Sequence, residues 1–107
     1  MFRKILVGYD GSEPARKALV TALELARAFR GEVAALAVVR PPEFAELEGE
    51  IENALEEAAG PLAEAFAQAR ALAKAQGVTL HLHRRVGHPA EVLIRYAEEG
   101  QFDLIVL

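Results

Sequence analysis

Apolar residues fall into two kinds of stretch along the chain. Ile5 to Val7 and Val33 to Val39 are unbroken runs, the pattern of strands covered on both faces of a sheet. Between them Ala15, Ala18, Leu19, Ala22, Leu23, Ala26 and Phe29 recur at intervals of three and four, while Arg16, Lys17, Glu24 and Arg27 lie off that stripe. The spacing predicts a helix with one buried face. Ser12 is placed to cap its start, Pro14 is tolerated in a first turn whose N–H groups are unpaired anyway, and Gly31 is predicted to close it near Arg30. The three elements form a β-α-β unit, for which a right-handed crossover is expected.

Pro41 and Pro42 stop the second strand. The segment from Glu43 to Glu57 is acidic, with only Phe44, Leu47, Ile51 and Leu55 marking an apolar stripe, and is expected to be a partly helical, mobile insertion. It reads either as a lid or docking segment or as a solvated helix face. Gly60 and Pro61 are expected to punctuate it, with a clearer helix from Pro61 to Gln76 that turns Leu62, Ala65, Phe66, Ala69, Leu72 and Ala73 inward and ends at Gly77. From Val78 to Val86 apolar and polar residues alternate, which predicts an edge strand. A turn at Gly87-His88-Pro89, a short helix ending at Gly100 and a last strand from Phe102 to Leu107 complete the order. Leu19, Leu23, Phe29, Phe66 and Leu72 are core by spacing. Leu104 to Leu107 read as an interior strand with no partner for its second edge, so the chain is expected to be a single domain, incomplete at its C-terminus, within a longer fold.

Composition narrows the class. With 107 residues, 52% hydrophobic and 26% charged, the chain is expected to form one soluble core. Its formal charge of -4 and the scatter of its basic pairs (Arg3 and Lys4, Arg16 and Lys17, Arg84 and Arg85) argue against a nucleic-acid surface. No cysteine is present, which removes disulfides and thiolate chemistry. Neither a signal peptide nor a membrane helix is legible, so a cytoplasmic protein without membrane partners is expected.

The chemistry concentrates in Lys4-Ile-Leu-Val-Gly-Tyr-Asp-Gly-Ser12. A buried strand delivers one carboxylate, Asp10, to its C-terminal end, where ligands bind in open α/β sheets. Asp10 can accept hydrogen bonds from ribose hydroxyls or an adenine amine, or it can brace its own turn. It does not suit a triphosphate, since two unit charges 4 Å apart cost about 4 kcal/mol at an effective dielectric near 20. Glu13 already occupies the first turn of the helix, and Gly8-x-x-Gly11-Ser12 matches neither the Walker nor the dinucleotide glycine pattern. Tyr9 is open to two readings, packing on a base or covering the sheet edge. His81 and His83 share a strand face without an evident third metal ligand, and His88, in the Gly-x-Pro turn, reads either as a plain loop histidine or as one that approaches a ligand at the strand ends.

These stretches, together with Leu36-Ala37-Val38-Val39, Gly87-His88-Pro89-Ala90-Glu91-Val92 and Phe102-Asp103-Leu104-Ile105-Val106-Leu107, resemble the universal stress protein family in order and spacing across essentially the whole chain. The resemblance implies an α/β fold with an open parallel sheet of strand order 3-2-1-4-5, the fifth strand missing here, and helices on both faces. It further implies a homodimer, often formed through the fifth strand, and, in the branch that binds it, ATP accompanied by Mg or Mn. Gly8, Tyr9 and Asp10 would line the adenosine pocket, Val38 would offer backbone groups to adenine, and Leu107 would abut the sugar or base. The family's glycine-rich phosphate loop begins just after the position of Leu107.

Four functions compete. A nucleotide-binding stress or regulatory module with little or no turnover fits a single carboxylate with no nucleophile-base pair, no catalytic residue and no metal cluster. A dimeric interaction protein of the branch that does not bind ATP is the alternative. An adenylyl-transfer or ATP pyrophosphatase enzyme needs a glycine- and serine-rich phosphate loop after the first strand, which Gly8 to Ser12 replaces poorly. A phosphoacceptor receiver domain needs an acidic pair there and an acceptor aspartate after the third strand, where Arg85-Val86 stands instead.

Overall fold

A computed structural model describes residues 2–41 and 48–107. Its elements are β1 (Lys4–Gly8), α1 (Glu13–Phe29), β2 (Glu32–Val39), α2 (Glu48–Gln76), β3 (Leu80–Val86), α3 (Pro89–Glu99) and β4 (Leu104–Val106). The strands form one parallel sheet in the order β3-β2-β1-β4, as expected for the first four strands.

The continuous apolar runs are explained by two layers of helix. Ile5 and Val7 of β1, with Tyr9 just after it, join Leu19, Ala22, Leu23 and Ala26 of α1 and Ala65, Ala69 and Ala73 of α2 on one face. Leu6 joins Ala34, Leu36 and Leu93 of α3 on the other. Full burial of one leucine such as Leu19 or Leu23 contributes about 1.5–3 kcal/mol. β3 lies at the edge, with Leu80 and Leu82 turned to the α1–α2 core and His81 and His83 exposed, which accounts for its alternation. β4 is the outer strand beyond β1. Its register is set by Asp103, whose carboxylate accepts from the Lys4 amide at 2.9 Å while its own amide donates to the Lys4 carbonyl at 2.8 Å.

Three expectations need correction. α1 begins as predicted, with the Ser12 hydroxyl accepting from the Ala15 amide at 3.3 Å, but Arg30, not Gly31, takes the left-handed capping conformation at φ 56. Phe29 is 42% exposed rather than core. Its ring meets Phe2 edge-on at 5.2 Å.

The third correction concerns α2, which runs unbroken through Gly60 and Pro61. Proline removes one helical hydrogen bond and crowds the residue before it. Gly60 has no Cβ to be crowded, and the flanking alanines, leucines and glutamates propagate a helix readily once it is nucleated. The predicted insertion is therefore helical over 48–57, while its part at 43–47 lies outside the described residues. Of the residues expected inward on α2, Ala65, Ala69 and Ala73 are buried, and Leu62, Phe66 and Leu72 are half-buried.

Candidate functional site

The turn after β1 brings the predicted residues together. Gly8, Tyr9, Asp10, Val38 and Leu107 all line one cleft of about 270 Å³, with Leu36, Leu93, Pro89 and Ser12 completing its walls. The cleft opens on the α3 side of the sheet, at the C-terminal ends of β1 and β2. That is the general ligand position of open α/β folds.

Each residue reaches the cleft for a local reason. Gly8 and Leu36 are register partners in the β1–β2 ladder, and Val38 lies two residues beyond Leu36 on the same face. A Cβ on Gly8 would sit 3.1 Å from a methyl of Leu93 and 3.7 Å from a methyl of Leu107, so the missing side chain is what keeps the floor open. Leu107 follows β4 directly and is 85% exposed.

Asp10 is the charged residue of the lining. Its Oδ1 accepts from the Ser12 amide at 2.9 Å, so the turn-bracing reading of this side chain is realised. The Ser12 hydroxyl and then the Ser12 amide hold the Asp10 carboxyl below its usual range. A depressed folded-state pKa means that the associated stability is complete above the ordinary aspartate pKa and is lost as the pH falls through the lowered one. Because Asp10 is exposed, solvent keeps that contribution small. The carboxylate lines the cleft, and with two oxygens and about four lone-pair sites it can accept a further hydrogen bond there.

Tyr9 differs from both readings offered for it. Only its backbone lines the cleft, its amide donating to the Leu36 carbonyl at 3.0 Å. Its ring, one residue out of phase with Gly8, is 2% exposed in the core on the α1–α2 side of the sheet. The hydroxyl is buried without a hydrogen-bond partner among the described residues. Burial raises its pKa, Arg16 opposes that shift and Asp10 adds to it. An unmade buried hydrogen bond costs about 1–3 kcal/mol. Tyr9→Phe is therefore expected to raise the unfolding free energy by about 1 kcal/mol in urea titration; a loss of that size would mean that a buried water satisfies the hydroxyl.

The histidines lie elsewhere. His81 Nε2 is 3.5 Å from Glu32 Oε2, His83 packs near Tyr96, and His88 caps α3 through its backbone without a side-chain cap bond. None of the three lines the cleft. Among the described residues no group of three His, Asp or Glu is disposed to hold a metal. Leu36 and Leu93 were not singled out for the site from sequence. The signal for both was their place on the apolar faces of β2 and α3, which did not separate a cleft wall from core.

The family model described as the universal stress protein family matches residues 1–107. The chain belongs to the universal stress protein family. The universal stress protein MJ0531 of Methanocaldococcus jannaschii is 32% identical over 109 residues, a match covering 100% of this chain and 64% of that protein. The chain thus spans just under two-thirds of the length of this curated relative. Among solved structures, universal stress protein UspA from Lactobacillus plantarum superposes with a TM-score of 0.85 at 26% identity, covering 99% of this chain and 76% of its own. A universal stress protein solved in complex with cAMP shares the fold, with a TM-score of 0.76 at 24% identity over 98% of this chain and 75% of that one. Among the described residues no helix is long and apolar enough to cross a membrane.

Proposed function

We propose that the cleft receives the adenosine part of an adenine nucleotide, ATP in the first instance, and that the protein is a nucleotide-binding regulatory module of its family with little or no turnover. The observation that carries this reading is the convergence of Gly8, Tyr9, Asp10, Val38 and Leu107 on one cleft whose other walls are largely apolar. Such a lining suits a planar base and a polyol. Leu36, Val38, Leu93 and Leu107 offer apolar surface, and the Asp10 carboxylate accepts from a ribose hydroxyl or the adenine amine. The cAMP-bound member of the fold supports an adenine nucleotide as ligand class.

The lining contains no cation to meet phosphates, and a single carboxylate gives no site for the Mg or Mn ion expected with ATP. No residue described here is assigned to either. Ser12 and Asp10, which meet in the lining, brace the turn, and the binding role proposed for the cleft assigns neither of them to catalysis. A homodimer and a cytoplasmic location, both implied by the family resemblance, belong to the same proposal, as does incompleteness of the domain at its C-terminus.

The test is calorimetric titration of the protein with adenosine and with ATP. Asp10→Ala is expected to weaken both ligands alike by roughly tenfold or more, the value of a hydrogen bond to a charged acceptor. Asp10→Asn retains an acceptor for the Ser12 amide and controls for loss of the turn. Parent-like affinity in the alanine variant would remove Asp10 from the site.

A further inference from the structure

On the face that carries α3, a second concavity lies apart from the cleft. An open groove runs between α3 and the edge strand β3. Its upper part, about 180 Å³, is flanked by Arg85 and Arg95. Its lower part, about 400 Å³, reaches His81, His83 and Phe102. Tyr96 lines both parts and forms the apolar wall, with the Arg85 guanidinium 5.3 Å from its ring centroid, His83 at 5.8 Å and Phe102 stacked at 5.6 Å. No residue of the groove lines the cleft. In a chain of net charge -4, this strip carries Lys4, Arg85 and Arg95 against Glu32 and Glu99, with two imidazoles besides.

The matching feature is the N-terminal arm of α2. The helix has 29 residues, about 43 Å at 1.5 Å per residue, whereas the eight residues of β2 span only about 26 Å. Since α2 leads through Gly77 into the start of β3, its first turns extend past the C-terminal edge of the sheet. Among the described residues none from 48 to 64 joins the packed core. Ile51 is 41% exposed and Leu55, Ala58 and Leu62 are half-buried; the four recur at spacings of four, three and four, a helical stripe. Glu50 and Glu57 lie to one side of that stripe and Glu52 and Glu56 to the other. No basic residue occurs between residue 48 and Arg70. The arm from 48 to 62 is about 22 Å long, matching the roughly 23 Å of the seven-residue β3.

We propose that the α3–β3 groove is the docking site for the α2 arm of a second copy of this chain. The Ile51–Leu55 stripe lies against Tyr96 and Phe102, and the flanking glutamates meet Arg85 and Arg95. Each copy carries one arm and one groove, so a reciprocal exchange closes a two-fold dimer. The contact uses neither the β4 edge nor the nucleotide cleft and holds whether or not the cleft binds adenosine.

The absence of cysteine allows a direct test. Glu52→Cys and Arg95→Cys are introduced singly into two copies of the protein distinguishable by mass, mixed at equal concentration and oxidised. The expected result is a mixed disulfide between Cys variants of different copies, in at least tenfold excess over either homodisulfide. A statistical mixture, or no cross-link, overturns the proposal. In sedimentation equilibrium, the double reversals Arg85→Glu with Arg95→Glu, and Glu52→Arg with Glu56→Arg, are each expected to weaken self-association at least tenfold. Their combination is expected to return it to within about threefold of the parent. Reversals that leave association unchanged, or losses that the combination fails to repair, also overturn it.

Discussion

Gly31→Ala is expected to lower the unfolding free energy by about 3 kcal/mol, read as a fall in the urea midpoint at unchanged m-value. The reason is space, not backbone conformation. A Cβ at this position would collide with the Phe2 carbonyl oxygen and lie 2.9 Å from that of Arg3. Both are backbone atoms in the segment that enters β1, and the Glu32 amide donates to the Arg3 carbonyl at 2.7 Å, so neither can withdraw without loosening the β1–β2 pairing. The neighbouring residue behaves in the opposite sense. Arg30 holds the left-handed conformation at φ 56, and Arg30→Gly is expected to raise stability by about 1 kcal/mol by removing that strain. An alanine at 31 with parent stability would show that β1 can shift away from the end of α1.

The second large effect concerns the ligand. Gly8→Val is expected to reduce affinity for adenosine and ATP by about a hundredfold, the equivalent of the roughly 3 kcal/mol that an overpacked site costs. The added side chain starts 3.1 Å from Leu93 and 3.7 Å from Leu107 and fills the floor on which the proposed base or sugar rests. Gly8→Ala is milder, because the nearest atom is a leucine methyl that can rotate away. Calorimetry of the valine variant, with native far-UV circular dichroism as the control for folding, decides the matter. Undiminished affinity would place the nucleotide outside this cleft.

The Asp10 region shows how far the residues alone could be read. A buried strand that breaks into Gly-Tyr-Asp-Gly-Ser fixed the carboxylate at the strand end, and the turn-bracing bond from Ser12 follows from the short spacing of aspartate and serine. The direction of Tyr9 was equally implicit in the two-residue period of β1, which sends its ring to the sheet face opposite the cleft. Burial of an unpartnered hydroxyl is a tertiary outcome that no local pattern signals. Leu36 and Leu93 look like core in sequence because a cleft wall and a core face present the same periodicity.

Helix α2 marks the other boundary of what could be read. Gly60 and Pro61 are ordinary punctuation by local rules, and those rules correctly give the energy of one lost hydrogen bond. They do not weigh it against a helix whose later turns are held by Ala65, Ala69 and Ala73 against α1 and the sheet.

By itself the amino-acid sequence determined the alternation of strand and helix, the central place of β1 and β2, the edge place of β3 and the delivery of Asp10 to a strand end. All of these rest on periodicity and turn chemistry, which act over a few residues. Only the tertiary structure decided that Val38 and Leu107, 69 positions apart in the chain, meet beside Gly8, that Tyr9 turns away from them, and that α2 continues as one helix beyond the sheet. Those outcomes depend on which surfaces come into contact across the sheet, a quantity that no single stretch of chain contains.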